Sequence, residues 1–158
     1  LIDGIDPYMQ KYYADKTKEQ SYIRYYEEIL SLIKSFNKFD VLGHLDYVKR
    51  YSPYSWQKDD CLIGLNIIDN ILIHLIKNGK GIEVNTSGYR HISHCPMPHF
   101  DIISRYKKFG GKIITLGSDA HKLEHIGLGF NETIEKLKNI GFHELTKFTN
   151  HEPEFIKI

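Results

Sequence analysis

Two runs decide the fold: Gly81-Ile82-Glu83-Val84-Asn85 and Lys112-Ile113-Ile114-Thr115-Leu116. Each is short and largely apolar, and each opens into a polar loop, as a buried strand does. The first loop runs from Thr86 to about Met97, and the second is Gly117-Ser118-Asp119-Ala120-His121. Pro98 suits the first turn of a helix between the two strands, and Gly110-Gly111 ends it. Strand, helix, strand is the repeating unit of a parallel sheet.

The same alternation continues outward. Thr17-Lys18-Glu19-Gln20 reads as a capping box, and Tyr22, Ile23, Tyr26, Leu30 and Ile33 follow at helical spacing to about Phe36. Phe39 to Gly43 is a short buried strand, and Tyr51 to Gln57 an ordered loop with Pro53. Asp59 or Asp60 can cap a second helix with the stripe Leu62, Leu65, Ile68, Leu72 and Leu75, stopped at Asn78-Gly79. Asn131 can cap a fourth helix that stops at Gly141. Leu145 to Thr149 and Phe155 to Ile158 read as short closing strands. The fold class is therefore α/β, with parallel strands alternating with helices in one domain over residues 1–158.

Bulk properties narrow the function. The chain has 158 residues, 41% hydrophobic and 26% charged, with a formal net charge of +1. That balance offers no field for nucleic acid. Cys61 and Cys95 are too few for a disulfide framework, which points to a reducing, cytoplasmic compartment. No apolar run is long enough to span a bilayer, and no signal peptide opens the chain. Nine histidines invite a search for metal clusters. Of the eleven tyrosines, those gathered before residue 27 read as packing.

In a parallel sheet reactive groups collect at the carboxyl ends of strands. All three clear strands end in polar residues there. Asp119 and His121, two apart around Ala120, can direct a carboxylate and an imidazole to one side, a common ligand pair for Zn, Mn or Fe. Either they are ligands or they are a turn Asp and a surface His. His44 is a ligand or a core-edge histidine, and Asp46 orients a ligand imidazole or caps a turn. Asn85-Thr86-Ser87-Gly88-Tyr89-Arg90 offers hydroxyls, backbone donors and a guanidinium that suit a phosphate, or else forms a plain polar turn. Glu83, inside a strand, must be paired, hydrogen-bonded or directed at a cation. His91, His94, His99 and Cys95 match no standard metal spacing and read as incidental surface residues. His125 reads as exposed and His74 as structural.

These motifs together resemble the histidinol-phosphatases of the PHP (polymerase and histidinol phosphatase) family. The resemblance is carried by Phe39 through Tyr51 with Gly43-His44-Leu45-Asp46, by Glu83 through Gly88 with Arg90, and by Gly111 through His121. Asp3-Gly4-Ile5-Asp6-Pro7-Tyr8 and Pro153 through Ile158 fit the same group. It implies part of a distorted (β/α)7 barrel with a divalent metal cluster (Zn, Mn or Fe) at its C-terminal face. The implied reaction is metal-dependent hydrolysis of L-histidinol phosphate to L-histidinol and phosphate, in histidine biosynthesis. By the same resemblance His44, Asp119 and His121 are catalytic metal ligands, Arg90 holds the substrate phosphate, and Asn85, Ser87 and Glu83 line the pocket. The departure is the family's His-x-His pair, which does not occur in this sequence. The chain, which lacks an initiator Met, thus reads as a C-terminal portion, and an oligomer or a missing N-terminal half is expected to complete it. The alternatives are a non-catalytic fragment of the same fold and a PHP phosphoesterase or nuclease acting on another substrate.

Overall fold

A computed structural model describes residues 1–91 and 93–158. The elements run α1 (Lys18–Ser35), β1 (Val41–Leu42), α2 (Leu65–Lys77), β2 (Gly81–Asn85), α3 (Phe100–Lys108), β3 (Ile114–Gly117), α4 (Phe130–Ile140), β4 (Glu144–Thr149) and β5 (Glu152–Lys157). β1, β2 and β3 form a parallel sheet in that order, with Leu42 opposite Ile82 and Asn85 opposite Gly117. β2 is central. Ile82 and Val84 on one face and Asn85 on the other are fully buried, as expected of a strand covered on both faces.

The helices form where local sequence satisfies their ends and one face is apolar. At α1 the Thr17 hydroxyl accepts from the Gln20 amide (3.2 Å), and the Gln20 side chain accepts from the Thr17 amide (2.9 Å). The helix buries Tyr22, Tyr25, Tyr26, Ile29 and Ile33. α2 buries Ile68, Ile71, Leu72 and Leu75. Both sets recur at the three- and four-residue spacing that makes one helical stripe, and both join β2 and α3 in one core. His74 has the structural role expected of it: its Nε2 lies 3.1 Å from the Ile33 carbonyl, tying α2 to α1.

Three helix starts differ from expectation. α2 begins at Leu65, because Gly64 takes a left-handed φ of 71° and breaks the apolar run. Asp60 caps a short 3-10 turn instead, accepting from the Gln57 amide at 2.9 Å and pairing with Lys18 at 3.0 Å, and Leu62 is left exposed. α3 begins at Phe100 rather than Pro98, with the His99 ring accepting from the Asp101 amide. α4 begins after left-handed Gly129 rather than at Asn131. β4 and β5 stand apart from the parallel sheet as an antiparallel hairpin. Asn150 and His151 link them with φ of 52° and 68°, and a two-residue turn with both φ positive can join only antiparallel strands. No helix among the described residues is long and apolar enough to cross a membrane.

Candidate metal and phosphate site

Parallel strands bring their carboxyl ends to one edge, so His44, the turn Thr86–Arg90 and the loop Ser118–His121 converge there. The structure brings His44 and Asp119 together, with Nε2 and Oδ2 3.8 Å apart. Both residues have left-handed backbone, at φ 52° and 44°. Non-glycine residues hold that conformation only where their surroundings impose it. Here the Tyr25 hydroxyl donates to the His44 carbonyl at 2.8 Å. Arg90 donates to the carbonyls of Ser118 (2.9 Å) and Asp119 (3.1 Å). Arg90 thus fixes the second loop as well as bringing charge to it.

Glu83 lies between the two loops. A Cβ on Gly43 would come within 3.2 Å of its Oε2, and one on Gly117 within 2.3 Å of its Oε1. Two glycines on the flanking strands therefore make the space this carboxylate occupies. Its Oε2 is buried with no hydrogen-bond partner among the described residues, and so are Asn85 Nδ2, Ser87 Oγ and His44 Nδ1. The Asn85 Oδ1 accepts from the Ser87 amide at 2.9 Å and leaves those donors free. An imidazole nitrogen with a carboxylate 3.8 Å away suits a divalent cation with N and O ligands, and the unpartnered buried Glu83 carboxylate adds negative charge beside them.

The other candidates are placed less centrally. His121 is exposed at the end of its loop, and among the described residues no ion pair or hydrogen bond ties it to His44 or Asp119. Asp46 is buried at the N-cap position of the 3-10 turn Tyr47–Lys49 without a side-chain cap bond; its Oδ2 accepts instead from Lys49 Nζ (3.4 Å) and the His99 amide (3.3 Å). His94 is exposed. His91 and His99 are partly buried, contrary to the expectation of incidental surface residues, and so is His125. Burial lowers the His91 pKa, and the nearby Arg50 and Arg90 charges lower it further.

No protein-family profile matches the chain. It is 40% identical over 109 residues to the probable histidinol-phosphatase of Thermotoga maritima, covering 68% of this chain and 44% of that one. It is 32% identical over 149 residues to the histidinol-phosphatase of Lactococcus lactis, covering 94% of this chain and 53% of the relative. The chain superposes over 98% of its length on a crystal structure of histidinol phosphate phosphatase from Lactococcus lactis, at a TM-score of 0.80 and 29% identity, covering 59% of that structure. That protein was crystallised with Zn, L-histidinol and phosphate. The chain belongs to the histidinol-phosphatase family. It spans about half the length of the curated relatives it matches.

Within this family frame the geometry adds a residue that spacing alone did not single out. Arg50 Nη1 lies 3.6 Å from Asp119 Oδ2, and its Nε is buried without a partner among the described residues. Its place in the first motif, six residues after His44, was its one sequence signal. A partly buried guanidinium with a free Nε donor is a natural partner for a phosphate oxygen.

Proposed function

We propose that the chain supplies one side of a metal-dependent phosphatase site that hydrolyses L-histidinol phosphate to L-histidinol and phosphate. The observation that carries the reading is the superposition of 98% of the chain on a phosphatase holding Zn, L-histidinol and phosphate. It is supported by the pairing of His44 with Asp119 at the matching kind of sheet edge. His44, Asp119 and His121 would hold the divalent ion. When bound, such an ion provides a water of lowered pKa and neutralises phosphate charge. Arg50 and the free donors of Arg90 bind phosphate oxygens, and Ser87 Oγ and Asn85 Nδ2 donate to the same group. Glu83 balances cationic charge between the two loops.

The three parallel strands are read as part of a distorted (β/α)7 barrel, within one domain. The edge of β1 and the metal shell are then completed by a further segment of a longer protein or by a second copy. A cytoplasmic setting is in keeping with the two free cysteines.

The test is phosphate release from L-histidinol phosphate with added Zn, Mn or Fe, alongside metal titration by calorimetry. Loss of one metal-binding step in both His44→Ala and Asp119→Asn, with turnover lost in parallel, is the expected result. Uptake and turnover unchanged in both folded variants would sink the assignment. Turnover lost with His44→Ala but unaffected by Arg50→Gln would remove Arg50 from the phosphate site.

A further inference from the structure

A second cluster of donors lies away from His44 and Asp119. Cys61 closes the 3-10 turn Lys58–Leu62, while His99 and Asp101 sit at the start of α3. One ligand atom from each of the three lies within 4.8 Å of the others. The Cys61 sulfur is 3.4 Å from Asp101 Oδ2, and His99 Nδ1 is 3.3 Å from that same oxygen. Zinc–sulfur bonds of about 2.3 Å and zinc–nitrogen or zinc–oxygen bonds of about 2.0–2.1 Å, set at the tetrahedral angle, separate sulfur from oxygen by about 3.5 Å and nitrogen from oxygen by about 3.3 Å. The observed spacings agree with both.

The surroundings suit a bound ion. Cys61 is buried, His99 is largely covered, and the Asp101 carboxylate reaches solvent with about half its side chain exposed. That leaves an entry path and room for a water as fourth ligand. In the metal-free chain the Cys61 thiol donates to the Lys58 carbonyl at 2.9 Å, a hydrogen bond that binding exchanges for the sulfur–metal bond.

We propose that Cys61, His99 and Asp101 form a second, thiolate-containing site for a zinc-like divalent cation, separate from the phosphatase site. Binding displaces the thiol proton to solvent, takes the His99 Nδ1 lone pair from the Asp101 amide, and joins three bonds to one ion. It staples the Lys58–Leu62 turn to the first turn of α3. Cys61 and His99 border a cavity of about 20 Å³ that is also lined by Asp46, Arg50 and His91, so the staple braces the wall behind Arg50. This site is independent of the substrate reading, because it requires neither histidinol phosphate nor the strand-end loops.

The experiment is titration of Co(II) alone into the metal-free chain, followed by absorption. A thiolate-to-cobalt charge-transfer band with intense tetrahedral visible bands is expected, saturating at one thiolate-bound ion per chain. The band should vanish in Cys61→Ser, weaken at least tenfold in affinity in Asp101→Asn, and persist in Cys95→Ser and His44→Ala. The solvent-exposed Asp101 carboxylate makes Asp101→Asn a variant that keeps the fold, to be checked by circular dichroism. No charge-transfer band in the folded wild-type chain overturns the proposal. So does a band that survives Cys61→Ser, disappears with Cys95→Ser, or is unchanged by Asp101→Asn.

Discussion

The helical belt and the strand ends of this molecule treat polar atoms in opposite ways. In the belt, buried hydroxyls are mostly satisfied: Tyr12 donates to the Ser21 carbonyl at 2.7 Å and Tyr13 to the Val48 carbonyl at 2.8 Å. Tyr26, whose hydroxyl has no partner among the described residues, is the exception. At the strand ends Glu83, Asn85, Ser87, His44, Arg50 and His91 all keep a buried polar atom without one. Leaving such a group unpaired costs about 1–3 kcal/mol, so the second pattern works against stability unless a ligand completes it. The difference separates what folds the chain from what it binds.

The sharpest way to break this contrast is to cut the belt. Leu72, on α2, is fully buried in the core shared with α1 and β2. Leu72→Ala should cost about 2–5 kcal/mol, from lost transfer energy and the cavity left behind. Urea unfolding checks it, and a loss under 1 kcal/mol would show that the belt is not the stabilising layer. Glu83→Gln probes the other side. It replaces an unpartnered buried carboxyl group by an amide of the same shape, so the unfolding free energy should rise by about 1–2 kcal/mol while metal affinity falls. A midpoint that drops would mean that Glu83 is already satisfied in the folded chain.

Tyr25 belongs to both regions. Its ring packs in the core and its hydroxyl donates to the His44 carbonyl. Tyr25→Phe should therefore cost about 1 kcal/mol of stability, the net worth of one hydrogen bond. It should also weaken metal binding, because His44 loses a contact that holds its left-handed backbone. Unchanged metal affinity in calorimetry would place Tyr25 wholly in the belt.

Much of the belt was legible because it is locally encoded. The Thr17–Gln20 capping box and the bounds of β2 follow from neighbours in sequence. The start of α2 was not, since Leu62-Ile63-Gly64-Leu65 keeps an apolar rhythm through a residue whose left-handed φ appears only in space. At the site, His44 and Asp119 were legible as strand-end residues. Arg50 was not singled out, because only tertiary packing brings it to Asp119. Cys61 and Asp101 lie 40 residues apart, so no short motif could pair them. His121 marks the reverse case, where a strong motif leaves the side chain exposed.

The smallest effect concerns His91, where the strand ends meet the two arginines. Burial, with the charges of Arg50 and Arg90, lowers its pKa below the ordinary 6.5. Between that lowered value and 6.5 the unfolded chain binds more protons at this residue than the folded one. Its share of stability is therefore full above about pH 6.5, is lost as the pH falls through the lowered pKa, and levels once the folded state is also protonated. Urea midpoints at pH 7.5 and 5.5 should show this acid loss, and His91→Gln should shrink it. Arg50→Gln should shrink it too, since removing one guanidinium removes part of the repulsion felt by the imidazolium. An acid loss the same in both variants as in the wild-type chain would mean that His91 does not feel these charges, and the strand ends would then be less electrostatically loaded than their geometry implies.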